Sequence, residues 1–145
     1  MLVDIGESVV LVALDGDQLV AVRQTRPGTP EPTLELPSGK VEPGETPERA
    51  AARELAEECG LAARDYRDLG AFWVVPSYSN ERCHAFEATG LFAAGDAAPD
   101  EDEDIEVERI PLAGALSSLS DAASLAALAL WERSRARRAS GHGGG

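Results

Sequence analysis

The sequence predicts an α/β domain (α+β in the broader sense), with a mixed β-sheet and helices on its faces. Short apolar runs of strand length alternate with two segments of helical pattern, and glycine or proline clusters separate them. This alternation is typical of a sheet covered by helices. With 145 residues, 43% of them hydrophobic, the chain can bury about two-thirds of its unfolded surface. We predict one domain over residues 1–139 and a disordered glycine-rich tail at 140–145.

The first part of the chain is predicted to form three strands. Apolar runs at 9–14 and 18–24 flank Asp15-Gly16-Asp17, a sequence that favours a hairpin turn. Prolines and a glycine then interrupt regular structure between 27 and 32. A brief strand at 33–36 leads the chain into the segment that starts at Pro37.

A short helix follows, and its ends are well specified. Thr46 suits the N-cap position with Pro47 as the first helical residue, and Gly60 suits the left-handed position that ends a helix. Glu54, Glu57 and Glu58 lie on one face of this helix, at spacings i, i+3 and i+4.

Like charges at these spacings repel by a few tenths of a kcal/mol per pair. We therefore expect a cation among the three glutamates, although an acidic run on a helix is more often only a solvated face. Carboxylate oxygens suit Mg²⁺, with Mn²⁺ as the alternative, and these ions commonly share their remaining positions with substrate phosphates.

The second part of the chain is predicted to add three strands and a long helix. The strands are expected at 68–75, 82–91 and 105–110, and the helix at 121–138. The acidic segment at 93–104 connects the last two strands. The residues predicted to form the buried side of the helix are Leu125, Leu128, Ala129 and Trp131.

Composition limits the partners of this protein. Thirteen Lys and Arg against 26 Asp and Glu give a net charge of −13, which disfavours nucleic acid because its phosphates are also negative. No apolar run reaches membrane-spanning length, and the N-terminus lacks the basic region of a signal peptide, so we expect a cytoplasmic protein without a membrane segment. Cys59 and Cys83 are expected to be reduced and buried.

The segment from 39 to 61 resembles the Nudix box at every defining position. That pattern is Gly, five residues, Glu, seven residues, then Arg-Glu-apolar-any-Glu-Glu-any-Gly-apolar. The matching residues are Gly39, Glu45, Arg53, Glu54, Leu55, Glu57, Glu58, Gly60 and Leu61. A match of this length is specific, unlike a short glycine motif. The resemblance implies an α/β/α sandwich in which the box forms a loop-helix-loop.

The resemblance also implies a reaction and a ligand set. Nudix enzymes hydrolyse a nucleoside diphosphate linked to another moiety, with water as the nucleophile. In the family, metal is held by the glutamates corresponding to Glu54, Glu57 and Glu58 and by the carbonyl that corresponds to Ser38. Gly39, Glu45, Arg53 and Gly60 are expected to give structural support, with Glu45 and Arg53 as an ion pair that braces the loop against the helix.

Sequence outside the box is similar to the ADP-ribose pyrophosphatase branch. Arg23-Gln24-Thr25-Arg26 and Glu35-Leu36-Pro37-Ser38-Gly39-Lys40 resemble two stretches of that branch, and Pro76 lies fifteen residues past the box, as is usual there. By this likeness Arg26 would meet the substrate diphosphate, since a guanidinium can bind phosphate in a bidentate manner. Glu35 and Pro76 are further candidates for substrate binding.

A general base for the attacking water is expected in the acidic segment. In that branch a glutamate just ahead of an Ile-x-Val strand accepts the proton, which makes Glu101 and Glu103 equal candidates. A plain solvated loop is the alternative interpretation. Glu57 is predicted to take part in catalysis as well as in metal binding.

The chain departs from the branch in several places. Relatives generally carry an N-terminal β segment that helps form a dimer and supplies aromatic residues for the adenine, whereas little precedes Val9 here and aromatic residues make up 5% of the chain. A homodimer is therefore left open. Trp73 or Tyr78 could hold the base instead, although core packing is the commoner use of such residues.

Three functions follow from these observations. The first is Mg²⁺-dependent hydrolysis of ADP-ribose or a related nucleoside diphosphate sugar, which would give AMP and a sugar phosphate. The second keeps the metal but takes nucleoside triphosphates or dinucleoside polyphosphates. The third, of another class, is a non-catalytic sensor that binds a nucleotide, and the complete set of box carboxylates disfavours it.

Overall fold

The computed structural model describes residues 1–95 and 105–141. In these residues seven strands and three helices follow one another along the chain. They are β1 (Glu7–Asp15), β2 (Gln18–Gln24), β3 (Thr33–Glu35), β4 (Ser38–Lys40), α1 (Pro47–Cys59), β5 (Leu61–Trp73), β6 (Arg82–Ala93), β7 (Ile105–Pro111), α2 (Ala115–Ser118) and α3 (Ala122–Gly141).

The strands form one mixed sheet, as the sequence predicted. The main path runs β3-β2-β1-β6-β5, with β4 paired to β1 and β7 paired to β2. Strand β1 runs parallel to β6 from Glu7 to Ala13 and antiparallel to β2 and β4. Strands β5 and β6 form a long antiparallel hairpin.

Two hydrophobic cores lie on opposite faces of the sheet. Successive side chains of a strand point to opposite faces, and β1 shows this clearly. Val9, Leu11 and Ala13 pack with Leu55 of α1, whereas Val10 and Val12 belong to the core that includes α3. The result is the α/β/α sandwich that the resemblance implied.

The segment from Thr33 to Lys40 lies between two diverging strands. The β1–β2 hairpin pairs only near its turn, at Leu14↔Leu19 and Asp15↔Gln18. Farther from the turn, β3 pairs with β2 and β4 pairs with β1, and the Leu11 N–H donates to the Pro37 carbonyl at 2.9 Å. Because it is held between two central strands, this segment provides a rigid base for the site.

Three expectations need correction. Strand β5 begins at Leu61, directly after α1, rather than at 68. Helix α3 continues to Gly141, past the predicted end at Arg138, so Ser140 and Gly141 are helical rather than part of a disordered tail. Ala129 is exposed, since the buried face of α3 follows positions 124, 127, 128 and 131.

Two other predicted elements are confirmed, and one helix was not predicted. The hairpin at Gly16 and the strand at Ile105 are present, whereas α2 was not anticipated.

Among the helices of the described residues, none has the length and apolarity needed to cross a membrane. Cys83 is buried and Cys59 is partly buried; burial raises the pKa of these thiols to about 11 and about 12, respectively, so both are protonated near neutral pH.

Candidate metal and substrate site

Helix α1 is fixed at both ends by the predicted residues. The Thr46 hydroxyl accepts a hydrogen bond from the Arg49 N–H at 3.2 Å, which satisfies one free donor of the first turn. At the other end, Gly60 adopts a left-handed conformation, with φ 67°, and its N–H donates to the Ala56 carbonyl. These caps hold the glutamates of the helix in a fixed position.

Strand β4 passes directly beside the first of these glutamates. A Cβ atom built on Gly39 would overlap the Glu54 carboxylate. Gly39 does not have a positive φ, so glycine is required here by close approach rather than by backbone conformation. The loop and the helix thus meet at a point where no side chain fits, and the supporting role of Gly39 stays a prediction with which this close approach is consistent.

Glu54 and Glu58 are neighbouring carboxyl groups, and both are harder to ionise than usual. Burial, followed by the charge of Glu54, raises the pKa of Glu58 to about 9, and burial also raises the pKa of Glu54. The Oε2 atom of Glu58 is buried and has no hydrogen-bond partner among the described residues. Buried polar atoms are normally paired, and this exception indicates a missing cation or proton.

Arg53 connects the loop to the helix. Its guanidinium donates to both carboxylate oxygens of Glu45, at 2.8 and 3.0 Å, and to the Lys40 carbonyl at 2.8 Å. The Arg53 hydrogen bonds, together with one from the Glu42 backbone, lower the pKa of Glu45 to about 2. Arg53 and Glu45 thus form an ion pair between the loop and the helix; the bracing role that the resemblance implies stays a prediction.

Arg53 also contacts two of the three predicted metal ligands. Its Nη1 atom donates to Glu54 Oε1 at 2.8 Å and to Glu57 Oε2 at 3.1 Å. The Glu57 side chain is 58% exposed, unlike that of Glu58. In the described residues, no three side chains of Asp, Glu, His or Cys are close enough together to bind a metal ion as they stand. Glu57 would have to turn from Arg53 to join Glu54 and Glu58.

Arg26 and Glu35 are paired with each other. The guanidinium donates to both Glu35 oxygens at 2.9 Å, and Thr33 adds a third hydrogen bond. Burial alone would raise the pKa of Glu35, but these hydrogen bonds outweigh it and the pKa is lowered. The hydrogen bonds to Glu35 are the main reason that the pKa of Arg26 is raised, and the charge of Glu58 adds to the effect. Glu35 therefore fixes the position of the Arg26 guanidinium.

The remaining predicted residues lie at the periphery or outside the described part. Pro76 is exposed in the turn that follows β5, and Trp73 and Tyr78 are 57% and 54% exposed. The expectation that these two aromatic residues pack in the core is therefore wrong. The guanidinium of Arg82 lies 5.4 Å from the Trp73 ring centroid. Glu101 and Glu103 lie outside the described residues.

Ser124 in α3 and Asp121, which precedes this helix, were not anticipated. Ser124 is buried, and its hydroxyl accepts a hydrogen bond from the Leu36 N–H at 2.9 Å. Asp121 accepts from the Ser124 N–H, while its other oxygen is buried without a partner among the described residues. A serine on an otherwise apolar helix face was the available sequence signal for this contact.

Comparison with known proteins identifies the family. The model of the NUDIX domain matches residues 5–130. ADP-ribose pyrophosphatase of Bacillus subtilis (strain 168) is 37% identical over 112 residues, covering 77% of this chain and 60% of that protein. ADP compounds hydrolase NudE of Escherichia coli (strain K12) is 33% identical over 115 residues, covering 79% and 61%.

A solved structure described as the crystal structure of ADP compounds hydrolase superposes with a TM-score of 0.79 at 31% identity. The match covers 88% of this chain and 71% of that chain. This chain spans about three-fifths of the length of the curated relatives above. The family match over residues 5–130, the sandwich fold and the complete box together show that the chain belongs to the NUDIX family.

Proposed function

We propose that this protein hydrolyses the diphosphate linkage of ADP-ribose or a related nucleoside diphosphate sugar, with Mg²⁺ as cofactor, to give AMP and a sugar phosphate. The observation that carries the proposal is the pair formed by Glu54 and Glu58 against Gly39, with a buried and unpartnered carboxylate oxygen. Relatives named for ADP-ribose and for ADP compounds support this choice of substrate.

The residues at the site fit a divalent cation. The donor set is all oxygen, which suits Mg²⁺ or Mn²⁺ rather than a softer metal. Burial and the charge of Glu54 raise the pKa of Glu58, and a bound cation would stabilise its ionised form. Glu54, Glu57, Glu58 and the Ser38 carbonyl are the groups that would hold it.

When bound, the cation would neutralise phosphate oxygens and lower the pKa of water. The protein's own groups would do the rest. Arg26, held by Glu35, would contact the diphosphate and orient it beside the glutamates. Glu101 or Glu103 would accept the proton of the attacking water, so that no serine or cysteine nucleophile is needed.

A panel of nucleotides tests this proposal. The protein would be incubated with Mg²⁺ and, separately, ADP-ribose, ADP-glucose, nucleoside triphosphates and dinucleoside polyphosphates, and the products separated by chromatography. We expect AMP and a sugar phosphate from the first two substrates and a loss of product when the metal is chelated. Rapid cleavage of triphosphates with indifference to ADP-ribose and ADP-sugars would overturn the choice of substrate.

A further inference from the structure

We propose that two copies of this chain pair through the outer edge of β5, in antiparallel orientation and about a two-fold axis at Tyr66. The sheets of the two copies would then join into one continuous sheet. This surface is distinct from the N-terminal β segment that helps form the dimer in the ADP-ribose branch. The inference concerns assembly and does not depend on the proposed function.

Strand β5 has a free edge. It ends the main path of the sheet, and β6 is its one neighbouring strand in the described part of the chain. Within the same residues, no backbone hydrogen bond joins 64–68 to a segment other than β6. Alternate residues of an edge strand direct their N–H and C=O groups away from the neighbouring strand. This edge can therefore accept a further strand.

The regular part of this edge ends at a bulge. The register of β5 against β6 is continuous from Leu61 to Asp68 and shifts between Asp68 and Gly70. Leu69 is therefore an extra residue in β5, and such a residue bends the strand and disrupts further pairing. A second strand can pair regularly only with the part of β5 that precedes the bulge. That part carries all the charged residues of the strand, in the sequence Arg64-Asp65-Tyr66-Arg67-Asp68.

The charges of this segment are complementary to those of a second copy. In an antiparallel pairing centred on Tyr66, Arg64 lies opposite Asp68 of the second copy, and Asp65 lies opposite Arg67. The two-fold axis repeats both pairs, so every charge of the segment faces an opposite charge. Opposite charges directly across two strands stabilise the pairing, whereas like charges destabilise it.

The neighbouring registers lack this complementarity. A shift by one residue places Arg64 opposite Arg67 in one direction. In the other direction it places Asp65 opposite Asp68. A shift by two residues places either Asp65 or Arg67 opposite its own copy. Charges on an edge strand usually prevent pairing, but here their order selects a single register for self-pairing.

Strand β7 provides a comparison within the same sheet. It also has one neighbouring strand among the described residues, which is β2. An antiparallel pairing centred on its middle residue, Glu108, would bring the two Glu108 carboxylates together, and like charges directly opposite each other are destabilising. The charge pattern therefore favours β5 over β7 as the edge that binds a second copy.

The charged side chains of β5 are accessible to a second copy. Those that are exposed are Arg64, Asp65 and Asp68. The fourth, Arg67, is 32% exposed, and its guanidinium donates to both oxygens of Glu87 and to the Ser134 hydroxyl. These hydrogen bonds hold the Arg67 side chain in place and do not use all five of its N–H donors. A carboxylate of the second copy can therefore accept a further hydrogen bond from it.

Two charge reversals, tested separately and together, examine the pairing. Arg64→Asp places two carboxylates opposite each other, and Asp68→Arg places two guanidinium groups opposite each other. Sedimentation velocity over a series of protein concentrations, at low ionic strength where exposed charges act most strongly, would give the dissociation constant. We expect the wild type to dimerise and each variant alone to show a dissociation constant at least about tenfold higher. An equimolar mixture of the two variants should form a heterodimer, because each new charge then faces its opposite.

Glu31→Arg is the matched control for charge. Glu31 is exposed in the connection between β2 and β3, and its reversal changes the net charge by the same amount as Asp68→Arg. This control should dimerise as the wild type does, and thermal melts would verify that each variant is folded.

The outcomes separate this inference from the proposed function, since no substrate takes part in the measurement. A wild type that stays monomeric at every concentration would overturn the pairing. Reversal variants that dimerise as tightly as the wild type would overturn it as well, because the contact would then lie elsewhere. Two folded, monomeric variants that form no heterodimer when mixed would also contradict it.

Discussion

The buried hydroxyl of Ser124 accepts a hydrogen bond from the backbone N–H of Leu36 at 2.9 Å. Leu36 lies in the break between β3 and β4, where its N–H has no partner in the β-ladder. Glu35 precedes this point and Ser38 follows it, so helix α3 fixes the position of both. Helix α3, which packs on the opposite face of the sheet from α1, thereby supports a site whose predicted acidic ligands come from α1.

Replacing Ser124 by alanine is expected to destabilise the protein. The Leu36 N–H would stay buried without an acceptor, which costs about 1–3 kcal/mol. Urea unfolding would measure the loss. Ser117→Ala, at an exposed position of α2, should leave the midpoint unchanged. A midpoint for Ser124→Ala equal to that of the wild type would show that the hydrogen bond contributes nothing.

Local sequence rules predicted the loop and helix of this site because the contacts that fix them join residues close together in the sequence. The caps Thr46 and Gly60 lie at the ends of one helix and act through backbone geometry that a spacing pattern captures. The Arg53–Glu45 pair was implied instead by the resemblance to the Nudix box. The loop and helix of the box could therefore be placed before the structure was known.

Long-range contacts could not be predicted in this way. Ser124 meets Leu36 across 88 positions and Ser8 meets Glu81 across 73, and no local pattern specifies either pair. Tertiary packing decides such contacts, as it decided the early start of β5. The Arg53–Glu57 hydrogen bond is of another kind, because it joins residues four apart on α1 and helical spacing allows such a pair.

Glu57→Gln and Glu58→Gln are expected to lower turnover by about a hundredfold or more while leaving the fold intact. Each removes a carboxylate predicted to hold the cation. Steady-state rates at saturating Mg²⁺ would measure the effect, with Glu48→Gln in the exposed first turn of α1 as control. If either variant keeps a near-native rate, the ligand assignment at that position is wrong.

The stability of the metal-free protein is expected to fall as the pH rises. The pKa of Glu58 is about 9 in the fold against 4.5 ordinarily, so the folded state holds a proton that the unfolded chain releases. The contribution of this proton to the free energy of unfolding is complete below pH 4.5 and is lost as the pH rises through about 9. The free energy of unfolding falls by up to about 1.4 kcal/mol per pH unit in this range.

Unfolding midpoints in a chelator between pH 6 and pH 8.5 would measure this slope. Glu58→Gln should flatten it, and Mg²⁺ should stabilise the wild type more at the higher pH because the cation binds the ionised carboxylate. A slope that is the same in the wild type and in Glu58→Gln would contradict the protonated state inferred for this residue.

Gly39→Ala is expected to separate the loop from the helix at the centre of the site. The new methyl group would overlap the Glu54 carboxylate, so either β4 or the Glu54 side chain must move, at a cost of about 1–3 kcal/mol. Both movements displace a predicted metal ligand, because Ser38 adjoins Gly39. We expect Mg²⁺ affinity and turnover each to fall at least about tenfold, which a metal titration and steady-state rates would show.

Gly28→Ala is the matched control, since Gly28 also lacks a positive φ and an added Cβ would meet no atom within 4 Å. Native Mg²⁺ affinity in Gly39→Ala would mean that the loop and the helix do not bind the cation together.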